Sequence, residues 1–188
     1  MMIHPNRVKG YLLLALATAL ALVCACRTEE GKRQHALSTF RVFLEVNQDA
    51  AKRSQPVPIY RSHPFMVNIE SEPFLTEAEV AEARVIEVVG GFAIRIRLAR
   101  RGAWLLEQYT AANQGKHLAI QAQFADPQAP DRHLNRWLAA PFISGRISDG
   151  TLLFTPDATR EEANQIVLGL NNVAKKTENA PDNQNSKR

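Results

Sequence analysis

The side chains that could ligate a metal or move a proton are few and far apart in this chain. Of its five histidines, His63 precedes a proline beside a predicted strand, His117 opens another strand, and His133 lies in a stretch rich in Asp and Pro. No two have the i, i+4 helical spacing that brings imidazoles onto one metal ion. Asp126, Asp131 and Asp149 stand in turn-forming sequence, where hydrogen bonds to the local backbone account for them without any acid–base pair. No serine sits in a nucleophile elbow, and Gly90-Gly91 lacks the context of a phosphate loop. A metal centre, a hydrolytic site and a cofactor are therefore not expected.

The two cysteines point elsewhere. Arg7 and Lys9 precede an apolar run, Tyr11 to Val23, broken only by Thr18, and the run ends in Cys24-Ala25-Cys26. A basic start, a short apolar stretch and small residues at its end form the layout of a secretory signal peptide. As a helix the run spans roughly 20 Å, short of the roughly 30 Å of a bilayer core. Val23-Cys24-Ala25-Cys26 resembles a bacterial lipobox, which makes Cys26 the expected lipidated N-terminus; cleavage after Ala25 and an uncleaved anchor are the alternatives. Arg27 in place of an aspartate points to the outer membrane. Residues 1–25 are then signal, and no thiol remains in the folded part for a disulfide or thiolate site.

Removing the signal takes away two of the 23 basic residues and none of the 19 acidic ones, leaving a charge of +2. Cations and acids are interspersed, so no nucleic-acid footprint is present. The surface candidates are Arg95, Arg97, Arg100 and Arg101, a local basic patch, and Trp137 with Phe142, aromatic side chains of the kind enriched where partners bind. The alternative for the arginines is a solvated edge that discourages strand pairing. The alternative for Trp137 is a cover on the core.

These residues need a scaffold. Residues 26–37 read as a charged tether and 174–188 as a polar, disordered tail, leaving one folded domain over 38–173. Phe40, Val42, Leu44 and Val46 alternate with Arg41, Phe43 and Glu45, which predicts a strand with one wetter face. Asn47 to Pro58 reads as a loop and Phe65 to Glu70 as a strand. Thr76 and Glu79 have capping-box spacing, with Leu75 and Val80 as a staple, which predicts a helix start. Gly90-Gly91 joins two strands, Arg84 to Val89 and Phe92 to Ala99, with Ile94, Ile96 and Leu98 inward and Arg95 and Arg97 outward. Gly102 to Asn113 is predicted helical, with Leu105, Tyr109 and Ala112 on its apolar face and Trp104 on the shoulder; Gly115 ends it. A strand, His117 to Phe124, and an insertion loop, Ala125 to Leu138, follow. Asp149-Gly150 predicts a hairpin between Phe142 to Ser148 and Thr151 to Thr155. A final helix starts at Thr159, capped with Glu162, and carries Ala163, Ile166, Val167 and Leu170 inward. Mainly antiparallel strands with helices packed on one face make an α+β fold.

Three stretches carry a family resemblance: PFLTEAEVAEARV from Pro73, RRGAWLLEQYTAANQGKHLAI from Arg100, and APFISGRISDGTLLFTPDATREEANQIVLGL from Ala140. In order and spacing, Pro73 to Ala174 resembles the periplasmic P1 head subdomain of SecD, a subunit of the bacterial protein-export machinery. The resemblance implies a SecD P1 head-like fold and a protein-contacting module, not an enzyme. Two departures stand out. Gln121 to Leu138 replaces a short Asp-Gly turn of the family, and Leu170-Asn171-Asn172-Val173 leads into a polar tail rather than towards transmembrane helices. The expectation is the soluble head alone, without the family's proton-driven bundle.

The sequence thus supports a lipid-anchored, periplasm-facing envelope protein that binds another protein, as an accessory to export. The alternative is a structural envelope lipoprotein that reuses the fold to bind cell wall or an envelope assembly.

Overall fold

The computed structural model describes residues 36–47 and 54–179. The signal segment, Cys26 and most of the tether lie outside the described residues, as does the tail beyond Asn179. Among the described residues are nine strands and two helices. The strands are β1 (Thr39–Leu44), β2 (Ser54–Ile59), β3 (Phe65–Glu70), β4 (Leu75–Thr76), β5 (Val80–Val88), β6 (Gly91–Leu98), β7 (Leu118–Asp126), β8 (Ala129–Ala139) and β9 (Thr151–Phe154). The helices are α1 (Arg100–Ala112) and α2 (Arg160–Glu178). The strands form three sheets, ordered β4-β1-β7-β8, β2-β3 and β5-β6-β9, with every pairing antiparallel. The α+β expectation holds, with the sheet divided in three.

One core joins two of the sheets and both helices. Phe40 and Val42 of β1, Ile94 and Ile96 of β6, Ile120 and Phe124 of β7, Leu106 of α1 and Ile166 and Leu170 of α2 are all buried in it. A second, smaller cluster lies on the opposite face of β1 and β7, where Phe43 and Ala119 meet Val57, Ile59, Val67 and Ile69 of the β2–β3 pair. The face of β1 expected to be wet therefore carries a buried Phe43, because β2–β3 covers it.

The segment read as a loop contains β2. Its Pro56 and Pro58 lack a backbone donor, which confines such a strand to an edge, and β2 pairs with β3 alone. The capping box at Thr76 exists: the backbone N–H of Thr76 donates to Glu79 Oε2 at 2.9 Å and the N–H of Ala78 to Thr76 Oγ1 at 3.3 Å. It starts only one 3₁₀ turn, Glu77–Glu79, after which the chain enters β5. There Val80, Ala83 and Val85 pair with β6, and sheet formation overrides the local helix signal. The Gly90-Gly91 hairpin forms as read, and Gly90 takes the left-handed φ of 84° that favours glycine.

The supposed insertion loop is the β7–β8 hairpin, turned at Pro127 and Gln128. Asp149-Gly150 does form a turn, with Gly150 at φ 68°, but residues 143–148 form no strand and β9 pairs with β6. On α1 the buried positions are Gly102, Leu106 and Thr110, so the apolar face is centred one residue beyond the expected one and Ala112 is exposed. α2 begins at the Thr159–Glu162 box and runs on to Glu178, into the stretch read as tail.

α2 is fixed to two neighbouring segments, β5 and the stretch before β1. Asn171 acts as a one-residue strand: its Oδ1 accepts from the N–H of Ala83 at 2.8 Å and its Nδ2 donates to the Ala83 carbonyl at 3.0 Å. At Ala83 the open edge of β5 is thereby satisfied by a side chain. Gly169 lets Ser38 come so close that a Cβ there would lie 2.1 Å from Ser38 Oγ.

Candidate functional site: an exposed aromatic row

The chemistry of the surface is built mostly from long-range contacts. Phe65 opens β3, His117 precedes β7, and Phe142 follows β8. An isolated antiparallel bridge joins His117 to Phe142, and the N–H of Ile143 donates to the Lys116 carbonyl at 2.8 Å. The imidazole of His117 meets Phe65 edge to face at 5.3 Å and Phe142 at 5.4 Å. Glu45 holds the histidine in place: its Oε2 accepts the His117 backbone N–H at 2.8 Å and lies 2.8 Å from Nδ1. The row stays open to water, with Phe65 43% and Phe142 58% exposed, and Met66 beside Phe65 in sequence 56% exposed. Tyr60, at the end of β2, is exposed as well and holds a left-handed φ of 67°, a conformation that costs a non-glycine residue energy. Aromatic side chains left in water form an apolar contact surface; Met66, on the opposite face of β3, stands apart from it.

Trp137 takes no part in this row. Its ring packs edge to face on Phe43 at 5.3 Å and closes the second cluster. Phe142, its expected companion, is the exposed one.

The four arginines divide into two groups. Arg95 and Arg97 project from the outer face of β6, where Arg84 lies opposite Arg95 and Glu82 opposite Arg97. Glu82 pairs with Arg84 and, at 3.1 Å, with Arg97; the hydrogen bond from Arg84 and then that from Arg97 hold its carboxyl below the usual range. Arg97 is thus paired, though it shares the one carboxylate with Arg84, while Arg95 has no ion pair among the described residues. Arg100 and Arg101 start α1, and Trp104, one turn on, is 59% exposed.

A cleft of about 430 Å³ opens beside the start of α2, lined by Arg61, Arg132, Arg136 and Glu162 among others. Its cations are committed: Arg61 to Asp157 at 3.2 Å, Arg132 to Asp126, and Arg136 to Glu162, with the Arg136 guanidinium 5.3 Å from the Phe124 ring centre. Burial pushes the Asp157 carboxyl up, and the hydrogen bonds from Arg61 more than offset this, leaving it below the usual range. Among the described residues, no three His, Cys, Asp or Glu side chains come together as a metal site, and no helix is long and apolar enough to cross a membrane.

Sequence alternation located Arg95 and Arg97. Phe65, Met66, His117 and Trp104 were not singled out as contact residues. An apolar residue at the exposed end of a strand, opposite Ile59, leaves no periodic signal.

Comparison with known proteins agrees with this architecture. The family described as SecDF, P1 head subdomain, matches residues 49–174, more than half of the chain. Two solved structures of SecDF are similar in fold. One, described as a membrane component that enhances protein export, is 20% identical with a TM-score of 0.51, covering 79% of this chain and 68% of that one. The other, SecDF in a super-membrane-facing form, is 20% identical with a TM-score of 0.53 and also covers 79% of this chain, which spans only 20% of its length. No curated protein matches the chain. By that match the chain belongs to the SecDF P1 head family, a protein-export-associated domain.

Proposed function

We propose that this protein is a non-enzymatic envelope lipoprotein, anchored through Cys26, whose head binds another protein as an accessory to export. The observation that carries this reading is the family match over residues 49–174. The Phe65–His117–Phe142 row supports a place for the contact, since an apolar surface held open by a fixed histidine favours apolar side chains of a partner chain. Arg95, which has no ion pair among the described residues, adds a cation for acidic groups on the bound chain.

The test is a photo-crosslinking residue at position 142 in living cells, with exposed Asn164 of α2 as the control position. The expected capture at 142, and not at 164, is export components or unfolded exported chains. Capture of peptidoglycan alone would sink this reading in favour of a wall-binding envelope protein. Metabolic labelling with a fatty acid tests the anchor: Cys26→Ser is expected to abolish the label.

A further inference from the structure

The exposed arc of α1 carries a second surface, unlike the first. At about 100° per residue, Arg100, Arg101, Trp104, Gln108 and Ala111 share one side of the helix, and all five are exposed. None of these five is acidic, and the acid that borders them on the same helix, Glu107, is half-buried. Glu107, one turn after Trp104 and about 20° around the helix from Arg100, has its charge paired by Arg146 at 3.3 Å; on adjoining segments Glu79 accepts from Thr76 and Asp149 accepts the Thr151 N–H at 3.0 Å. Neither Arg100 nor Arg101 has an ion pair among the described residues.

These residues work against their own helix. Two cations in the first turn face the positive end of the helix dipole. Ala99 at the N-cap offers no side-chain hydrogen bond, and no acid stands in the first turn. A break in local rules beside an indole left in water marks a surface kept for something other than stability.

We propose that this arc docks on an anionic membrane surface. A single-signed cationic arc complements a layer of phosphate headgroups, to which guanidinium groups bind by paired hydrogen bonds. Indole is amphipathic and rests at the membrane–water interface. The neighbours of Trp104 in the arc, Gln108 and Ala111, do not supply the packed apolar centre that a protein interface needs. A projecting indole flanked by two arginines matches a headgroup layer better than it matches an acidic protein. This inference does not rest on the export reading, since it holds whichever protein the head contacts.

The test uses the full chain in vesicles of phosphatidylcholine, with and without phosphatidylglycerol. The fluorescence difference between the native chain and Trp104→Phe isolates the signal of Trp104; the position is exposed, so folding is spared. With phosphatidylglycerol present, the emission is expected to shift to the blue and to be quenched by lipids brominated near the glycerol. Added salt is expected to reverse this. Each of Arg100→Gln and Arg101→Gln is expected to lower the docked-to-undocked ratio about fivefold. Any attachment through the N-terminal segment, which is itself basic, is common to the native chain and the arginine variants and cancels between them. The proposal is overturned if Trp104 stays open to aqueous acrylamide in the anionic vesicles, or if both arginine variants dock like the native chain. Protection in native envelopes but not in protein-free anionic vesicles would also overturn it, in favour of an acidic protein partner.

Discussion

The two helices begin in opposite ways. α2 opens on a complete capping box, in which the Thr159 N–H donates to Glu162 Oε2 at 2.8 Å and the Glu162 N–H to Thr159 Oγ1 at 3.2 Å. It carries Glu161 and Glu162 in its first turn and Lys175 and Lys176 in its last, all favourable to the helix dipole. α1 opens on Ala99 and two arginines and has no basic residue in its last turn. What holds α1 is packing. Leu106 is fully buried, Tyr109 stacks on Phe74 at 4.1 Å, and Thr110 Oγ1 donates to the Leu106 carbonyl at 2.7 Å while accepting the Ile147 N–H at 3.0 Å. A helix secured from its buried side is free to present an unfavourable start to the outside.

The largest effect expected from this contrast is at Leu106. Leu106→Ala removes the central anchor of the helix that has no local support, and a loss of about 2–5 kcal/mol is expected in denaturant unfolding. A loss below about 1 kcal/mol would show that α1 does not depend on packing, and the contrast would fall. Next comes Asn171→Leu on α2. It leaves the N–H and carbonyl of buried Ala83 without partners, at a cost of roughly 1–3 kcal/mol. Hydrogen exchange is expected to rise first at Ala83 of β5, whose backbone groups the asparagine satisfies.

The same contrast explains what could be read in the sequence. The β5–β6 hairpin and the α2 start were legible because their determinants are adjacent: Gly90-Gly91 in one case, Thr159 and Glu162 in the other. The Thr76–Glu79 box was equally legible and equally real, but a cap fixes where a helix begins and not how far it runs. Val80, Ala83 and Val85 found partners on β6, and a strand resulted. β2 was hidden by its prolines and β8 by its polar outer residues, as befits edge strands whose partners alone define them. The Asp149-Gly150 turn misled because β9 pairs with β6, more than fifty residues back in the chain, rather than with the segment just before the turn. Of the candidate site, Arg95 and Arg97 followed from alternation. The aromatic row did not, since residues 65, 117 and 142 meet only in the folded chain. Trp137 could not be told from Phe142 by type, because only the position of Phe43 decides which ring is spent on packing.

Smaller effects sharpen the comparison at the start of α2. Thr159→Ala removes half of the capping box and is expected to cost about 1 kcal/mol. Acid acts there too. Asp157 and Glu161 flank this cap, and both have carboxyls below the usual range. In Asp157 burial acts upward and the hydrogen bonds from Arg61 outweigh it; in Glu161 a backbone N–H and then Thr159 lower the value. A lowered folded-state value means stability that is full above the unfolded value, near pH 4, and lost as pH falls through the folded one. Stability is thus expected to be flat from neutrality to about pH 4 and to fall below it, and Asp157→Asn is expected to reduce that slope. The contribution of the partly exposed Arg61–Asp157 pair is about 1 kcal/mol or less after screening. Because the first turn of α1 has no carboxylate, acid should loosen α2 before α1, as residue-resolved exchange would register. Simultaneous loosening would erase the distinction between the two starts.

The smallest effect has the opposite sign. Arg101→Glu, like Arg100→Glu, replaces a cation at the positive end of the α1 dipole with the charge that end favours, a gain of about 0.3–1 kcal/mol at low ionic strength. A modest rise in Tm is expected, diminishing with added salt. The same substitution is expected to abolish docking of Trp104 on anionic vesicles. A variant that is more stable and less able to dock separates the arginines' contribution to the surface from any contribution to the fold, which a destabilised variant could not do. If Arg101→Glu instead lowered Tm, the arginine would be holding α1 in place, and the unfavourable start of that helix would need a structural explanation rather than one based on its surface.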